Sequence, residues 1–81
     1  METIIGRVTH FYNRIGVAVL SLTDILKIGD QVLIQGRSTD FFQEVTSMEI
    51  EHQKVTSAGP GDEVALKVDE HVRQGDLIYK I

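Results

Sequence analysis

The side chains able to do chemistry in these 81 residues are few and dispersed. Nucleophilic catalysis needs a Ser or Cys held against a base, usually on a sharp turn. The chain has no cysteine, and none of Ser21, Ser38, Ser47 or Ser57 stands in a G-x-S-x-G elbow. His10, His52 and His71 lack the close spacing of a local zinc motif, so neither a metal nor another cofactor is expected. Glu49 and Glu51 alternate along one extended run, which sets them on the same side, roughly 7 Å apart. That spacing superficially suits paired-carboxylate chemistry. Without a cleft to desolvate one of them, however, both read as part of a solvated outer face. Catalysis is not expected of this chain.

Arginine beside aromatic rings is the stronger signal. Arg14, Arg37 and Arg73, three of the four arginines, fall where the strand pattern breaks. Phe11, Tyr12, Phe41 and Phe42, four of the five aromatics, flank the first two of these breaks. A guanidinium next to an aromatic face stacks on unpaired bases and pairs with phosphates, and it equally makes a hot spot for a protein partner. Arginines on loops are also commonly just solvated, and barrels need large side chains to plug their ends. The candidate partner-binding residues are therefore Phe11, Tyr12, Arg14, Arg37, Phe41 and Arg73. Twelve Asp and Glu against eight Lys and Arg leave a net charge of −4, which argues against a nonspecific grip on phosphate backbones. Any such contact has to be local, and Asp40, Asp69 and Glu70 dilute the positive field there.

These residues act together only if the backbone gathers them. Val, Ile, Thr, Phe and Tyr make up 29 of the residues, types that suit a pleated surface and crowd a helix. Period-two stretches between turn signals predict six strands: Thr3 to Phe11, Val17 to Leu22, Gln31 to Gln35, Phe41 to Ile50, Glu63 to Val68 and Leu77 to Ile81. Val45 to Val55 is the one rival for helix, and the alternation of Met48 and Ile50 with Glu49 and Glu51 favours strand. Gly29-Asp30, Gly61-Asp62 and Gly75-Asp76 each precede a strand. They read as turn punctuation, with the glycine at positive φ and the Asp accepting hydrogen bonds from turn amides.

Six short strands with one wet face leave two free edges unless the sheet closes, so the expected architecture is all-β: a small closed six-stranded antiparallel barrel, one domain over residues 1–81. Val8, Val17, Val19, Val32, Ile34, Met48, Ile50, Val64, Leu66 and Leu77 should supply most of its core. Antiparallel neighbours would send the first, third and fifth connections to one end, which would carry Arg14, Arg37 and Arg73. The longest run without a polar side chain, Ile15 to Leu20, falls far short of the ~20 residues of a membrane helix, and no membrane partner is expected. The first residues lack the basic and apolar regions of a signal peptide, which points to the cytoplasm.

Several strings in this order resemble a known family. They are Gly16-Val17-Ala18-Val19-Leu20, Leu26-Lys27-Ile28-Gly29-Asp30-Gln31-Val32, Val45-Thr46-Ser47-Met48-Glu49, Ala58, Gly61-Asp62-Glu63-Val64 and Val72-Arg73-Gln74-Gly75-Asp76-Leu77. Their succession is similar to the second domain of translational GTPases such as elongation factor Tu and bacterial initiation factor two. Small stand-alone translation-elongation-factor-like proteins match in length as well. The C-terminal barrel of collagenase-like peptidases is also similar. The resemblance implies a translation-protein barrel, and the individual strings are turn and core signatures that specify fold better than function.

Where the resemblance would place an aminoacyl-binding Arg, just before the strand-opening glycine, this chain has Ile15, with Arg14 one residue earlier. It also has no phosphate-cradling loop, and Asn13 is followed by Arg14 instead of opening a guanine-reading motif, so the chain alone binds no GTP. The translation likeness implies a non-catalytic module that contacts RNA or a ribosome-associated factor through the loop end. The peptidase likeness implies instead a protein-interaction subunit that completes a separately encoded enzyme.

Overall fold

A period-two run can bury its apolar face only when other runs pair beside it. Over residues 3–81, which the computed structural model describes, ten strands do so: β1 (Thr3–Tyr12), β2 (Val17–Leu22), β3 (Leu26–Lys27), β4 (Gln31–Gln35), β5 (Asp40–Glu44), β6 (Met48–Ile50), β7 (Gln53–Val55), β8 (Ser57–Ala58), β9 (Glu63–Lys67) and β10 (Leu77–Lys80). Among the described residues there is no helix. Eight strands form one antiparallel sheet in the order β5-β4-β10-β1-β2-β9-β6-β7, while β3 and β8 pair separately. The sheet curls into a half-barrel around one core of buried apolar side chains, led by Ile5, Leu20, Ile34, Leu66 and Ile78. Burying each such side chain stabilises the fold by about 1.5–3 kcal/mol relative to leaving it exposed. The β3–β8 ribbon lies at the end away from the β1–β2 turn and adds Leu26 and Ala58 to the core.

All-β is right, but the closed six-stranded barrel is not. The expected strand Phe41 to Ile50 divides at Val45-Thr46-Ser47: β5 pairs with β4 on one flank, and β6 pairs with β9 on the other. The chain then reverses through Glu51 and His52, at φ 50° and 66°, to make the β6–β7 hairpin. Two consecutive residues at positive φ are what a two-residue hairpin turn of this hand requires, yet neither is the Gly or Asn that usually advertises one. The sheet is thus open, with β5 and β7 as its two edges, and a side chain of β5 reaches across to the end of β9. Gln43, almost fully buried, donates from Nε2 to the Lys67 carbonyl at 2.9 Å and accepts at Oε1 from the Asp69 amide at 2.8 Å. One side-chain amide here does the work of a strand's peptide group, satisfying backbone atoms that closure would otherwise have paired.

Two strands also face the opposite way from their expected phase. On β2 the core takes Ala18, Leu20 and Leu22 and leaves Val17 and Val19 half-buried outside; on β10 it takes Ile78 and not Leu77. Ile50 is likewise only half-buried. The Gly-Asp pairs build one turn three times. Gly29, Gly61 and Gly75 have φ near +90°, and the following Asp amide bonds back to the carbonyl of Lys27, Gly59 or Arg73. Each Asp carboxylate then accepts the amide of that same residue, at 2.9, 2.9 and 2.8 Å. Asp30 additionally pairs with Lys80 at 3.4 Å.

Candidate functional site

Strand directions bring the β1–β2, β4–β5 and β9–β10 connections to one end of the sheet. Arg14, Arg37 and Arg73 sit in them, all exposed. Arg73 Nε donates to Ser38 Oγ at 2.9 Å, which ties the β9–β10 loop to the one carrying Arg37. Beneath that contact, Gly36 lies so close to the buried Asp76 carboxylate that a Cβ at residue 36 would overlap it. Arg14's turn is anchored elsewhere, by Lys67 Nζ on the Ile15 carbonyl at 2.9 Å and by the Val68 amide on the Gly16 carbonyl.

The aromatic candidates separate. Tyr12 is 49% exposed, with its ring 4.4 Å from that of His10. Phe11 is half-buried against the core, edge-on to His71 at 4.8 Å. Phe41 is corrected from surface candidate to core residue: only 7% exposed, it shares the inner face of β5 with Gln43, so Phe42 is the ring that reaches the surface.

Register between strands assembles a surface that no single segment displays. Phe42 lies opposite Leu33, Leu33 opposite Tyr79 and Tyr79 opposite Ile4, so four apolar side chains form a ladder across the outer face of β5, β4, β10 and β1. Phe42 is 61% exposed and Ile4 50%, whereas Leu33 between its neighbours is only 5% exposed. The next row towards the arginine end is mainly polar: Arg7, Leu77, Gln35 and Asp40, with Gln35 Nε2 donating to Asp40 Oδ1 at 3.3 Å. On the other side stand Gln31 and Glu44. Ile81, 57% exposed, stands beside Gln31 and extends the apolar surface, and an exposed apolar row with mainly polar neighbours is the anatomy of a protein-binding patch.

The opposite flank, the outer face of β2, β9 and β6, holds an open groove of about 1330 Å³. Cross-strand pairing sets Val19 beside Ala65 and Ala65 beside Glu49 along its floor. Glu49 and Glu51 both line it, so the face expected to be merely solvated is concave. Among the described residues no group of three or more His, Cys, Asp or Glu side chains is placed to hold a metal ion.

No family model matches the chain. It is 45% identical over 76 residues to an uncharacterized protease of Methanocaldococcus jannaschii, a match that takes in 93% of this chain and 19% of the protease. A collagenase of Porphyromonas gingivalis is 32% identical over 81 residues, 98% of this chain and 22% of the collagenase. Among solved structures, the C-terminal domain of a putative U32 peptidase from Geobacillus thermoleovorans superposes with a TM-score of 0.89 at 20% identity, covering 94% of this chain and 96% of that domain. This chain has the fold of that peptidase domain. It spans about a fifth of the length of the curated protease relatives it matches.

These matches correct the likeness to stand-alone translation-elongation-factor-like proteins. An elongation factor 1-alpha of Pyrobaculum islandicum is 36% identical over 63 residues, but these cover only 73% of the chain and 14% of the factor. The comparisons therefore support neither a role in translation nor an RNA partner.

Proposed function

We propose that this chain is a non-catalytic docking domain of a U32-type peptidase, covering part of the peptidase body through the Phe42–Leu33–Tyr79–Ile4 ladder. The observation that carries the reading is the pairing of coverages: almost the whole chain matches, and it matches about a fifth of a protease. The solved counterpart is a C-terminal domain, so in that protein the polypeptide of the body enters ahead of the barrel. Ile4, one rung of the ladder, belongs to the first strand. The exposed Phe42 and Ile4 side chains at the two ends of the ladder gain most from being covered, at about 25 cal/mol for each Å² of apolar surface removed from water.

The test is to mix this chain with the Methanocaldococcus jannaschii protease shortened by the segment that matches it, and to follow the mixture by size-exclusion chromatography. Co-elution is expected, with Phe42→Asp weakening the complex about a hundredfold, as loss of a buried aromatic anchor does. Separate elution at roughly 100 μM of each protein, or a complex indifferent to Phe42→Asp, would rule the reading out.

A further inference from the structure

The groove on the β2–β9–β6 flank is chemically unlike the ladder and does not depend on the docking role. Its two ends differ. Towards the β1–β2 turn it is walled by Tyr12 and Ile15 over Val17, with Lys67 engaged by the Ile15 carbonyl. Towards the β6–β7 turn it gathers Glu51, Asp62 and Glu63, with Glu49 between the two ends. Four carboxylates thus face one lysine along its walls, whereas the whole chain carries −4. Asp62 keeps its charge but is fixed in place by the Gly59 amide, so Glu49, Glu51 and Glu63 are the carboxylates that can turn towards an occupant.

The floor explains the depth. Ala65 stands between Val19 and Glu49 where a larger side chain would fill the trough. Open to solvent along its length and lined by β2, β9 and β6, the groove suits an extended chain lying along the strands.

We propose that this groove receives an extended cationic peptide segment. A Lys or Arg of the peptide lies against Glu49, Glu51 and Glu63, and an apolar side chain of the same segment covers Val17, Val19 and Ala65. Charge complementarity selects the occupant: an acidic peptide would meet like charge at three carboxylates, and a neutral one would leave them without a counter-ion.

The test is fluorescence anisotropy with a labelled peptide of about eight residues, alternating Lys and Leu, whose extended length matches that of a five-residue strand and its flanks. An alternating Glu–Leu peptide serves as control. The Lys–Leu peptide should bind and weaken about tenfold between low and physiological salt, because the partnering charges sit at an open rim. Glu49→Lys combined with Glu63→Lys should cost at least about tenfold, and Ala65→Trp, which fills the trough without changing the net charge, should cost a similar factor. Glu44→Lys on the other flank reports general attraction to an acidic protein and should change nothing beyond about twofold. Equal binding of both peptides, indifference to Ala65→Trp, or an equal loss from Glu44→Lys would each overturn the proposal.

Discussion

On the flank made by β5, β4, β10 and β1, outward side chains meet at register positions as Phe42, Leu33, Tyr79 and Ile4, with Phe42 and Ile4 exposed at the ends of the row. On the flank made by β2, β9 and β6, outward side chains meet as Val19, Ala65 and Glu49 and sink below their rims. Both rows come from the same period-two alternation, so outward direction alone does not decide what a face is for. Side-chain size at the middle of the row does: leucine sheltered by two aromatic rings gives a raised apolar patch, and alanine gives a trough. A raised patch offers area to a folded partner, while a trough admits a single strand of peptide.

The largest effect expected from this contrast is its own separation. Phe42→Asp should abolish docking to the peptidase body, a loss of about a hundredfold, while leaving peptide binding in the groove untouched. Ala65→Trp should do the reverse. Anisotropy and co-elution measured on the same two variants check both halves, and a variant that damaged both functions would mean that the faces are one site.

Next in size is the element that holds the two flanks together across the open edge. Gln43→Leu keeps the volume but strands the Lys67 carbonyl and the Asp69 amide without their partner, at a cost of roughly 2 kcal/mol or more. Gln43→Glu retains an acceptor for Asp69 yet turns negative charge towards a carbonyl, and should destabilise at least as much. Urea denaturation resolves the order, and a Leu variant as stable as the parent would show that the gap is bridged without the amide.

How far these features can be read from the sequence follows from whether a signal is local. β9 is plain, because Val64, Leu66 and Val68 oppose a half-exposed Ala65 and a charged Lys67. β2 is ambiguous, because Val17 and Val19 are as apolar as Ala18 and Leu20; the one polar residue in the run, Ser21, marks the outer face and settles the phase. On β5 two successive phenylalanines give no phase at all, and a buried Gln43 points the wrong way, so the sequence does not tell which of Phe41 and Phe42 faces the core. The arginine end is legible, since antiparallel neighbours dictate which loops share a pole. Neither the ladder nor the groove is, because each exists only through pairings between distant segments: Ile4 with Tyr79 in one, Glu49 with Ala65 in the other.

A smaller loss tests the arginine end. Gly36 has no positive φ to demand glycine; the demand is steric, because the Asp76 carboxylate fills the space a Cβ would take and is fixed there by the Arg73 amide. Gly36→Ala must push Asp76 off that amide or shift the β4–β5 loop, which overpacking of this kind makes worth about 1–3 kcal/mol. Thermal melts should fall by about 4–8 °C for each kcal/mol lost in a domain of this size. Removing the carboxylate should relieve the crowding, so Gly36→Ala placed in an Asp76→Ala background is expected to cost less than in the parent. Full additivity would mean that the two residues do not meet.

The smallest effect has the opposite sign. His52 holds φ at 66° in the second central position of the β6–β7 turn, where a side chain's Cβ crowds the backbone and glycine does not. His52→Gly relieves roughly 1 kcal/mol of that strain, offset in part by the greater freedom glycine has when unfolded. A net gain of a few tenths to about 1 kcal/mol in a urea titration is expected. Because His52 lines the acidic end of the groove but bears no negative charge at neutral pH, the same variant should bind the Lys–Leu peptide within about twofold of the parent. A hairpin made firmer with peptide affinity unchanged would assign the attraction to Glu49, Glu51 and Glu63; a large loss would place the histidine ring among the contacts.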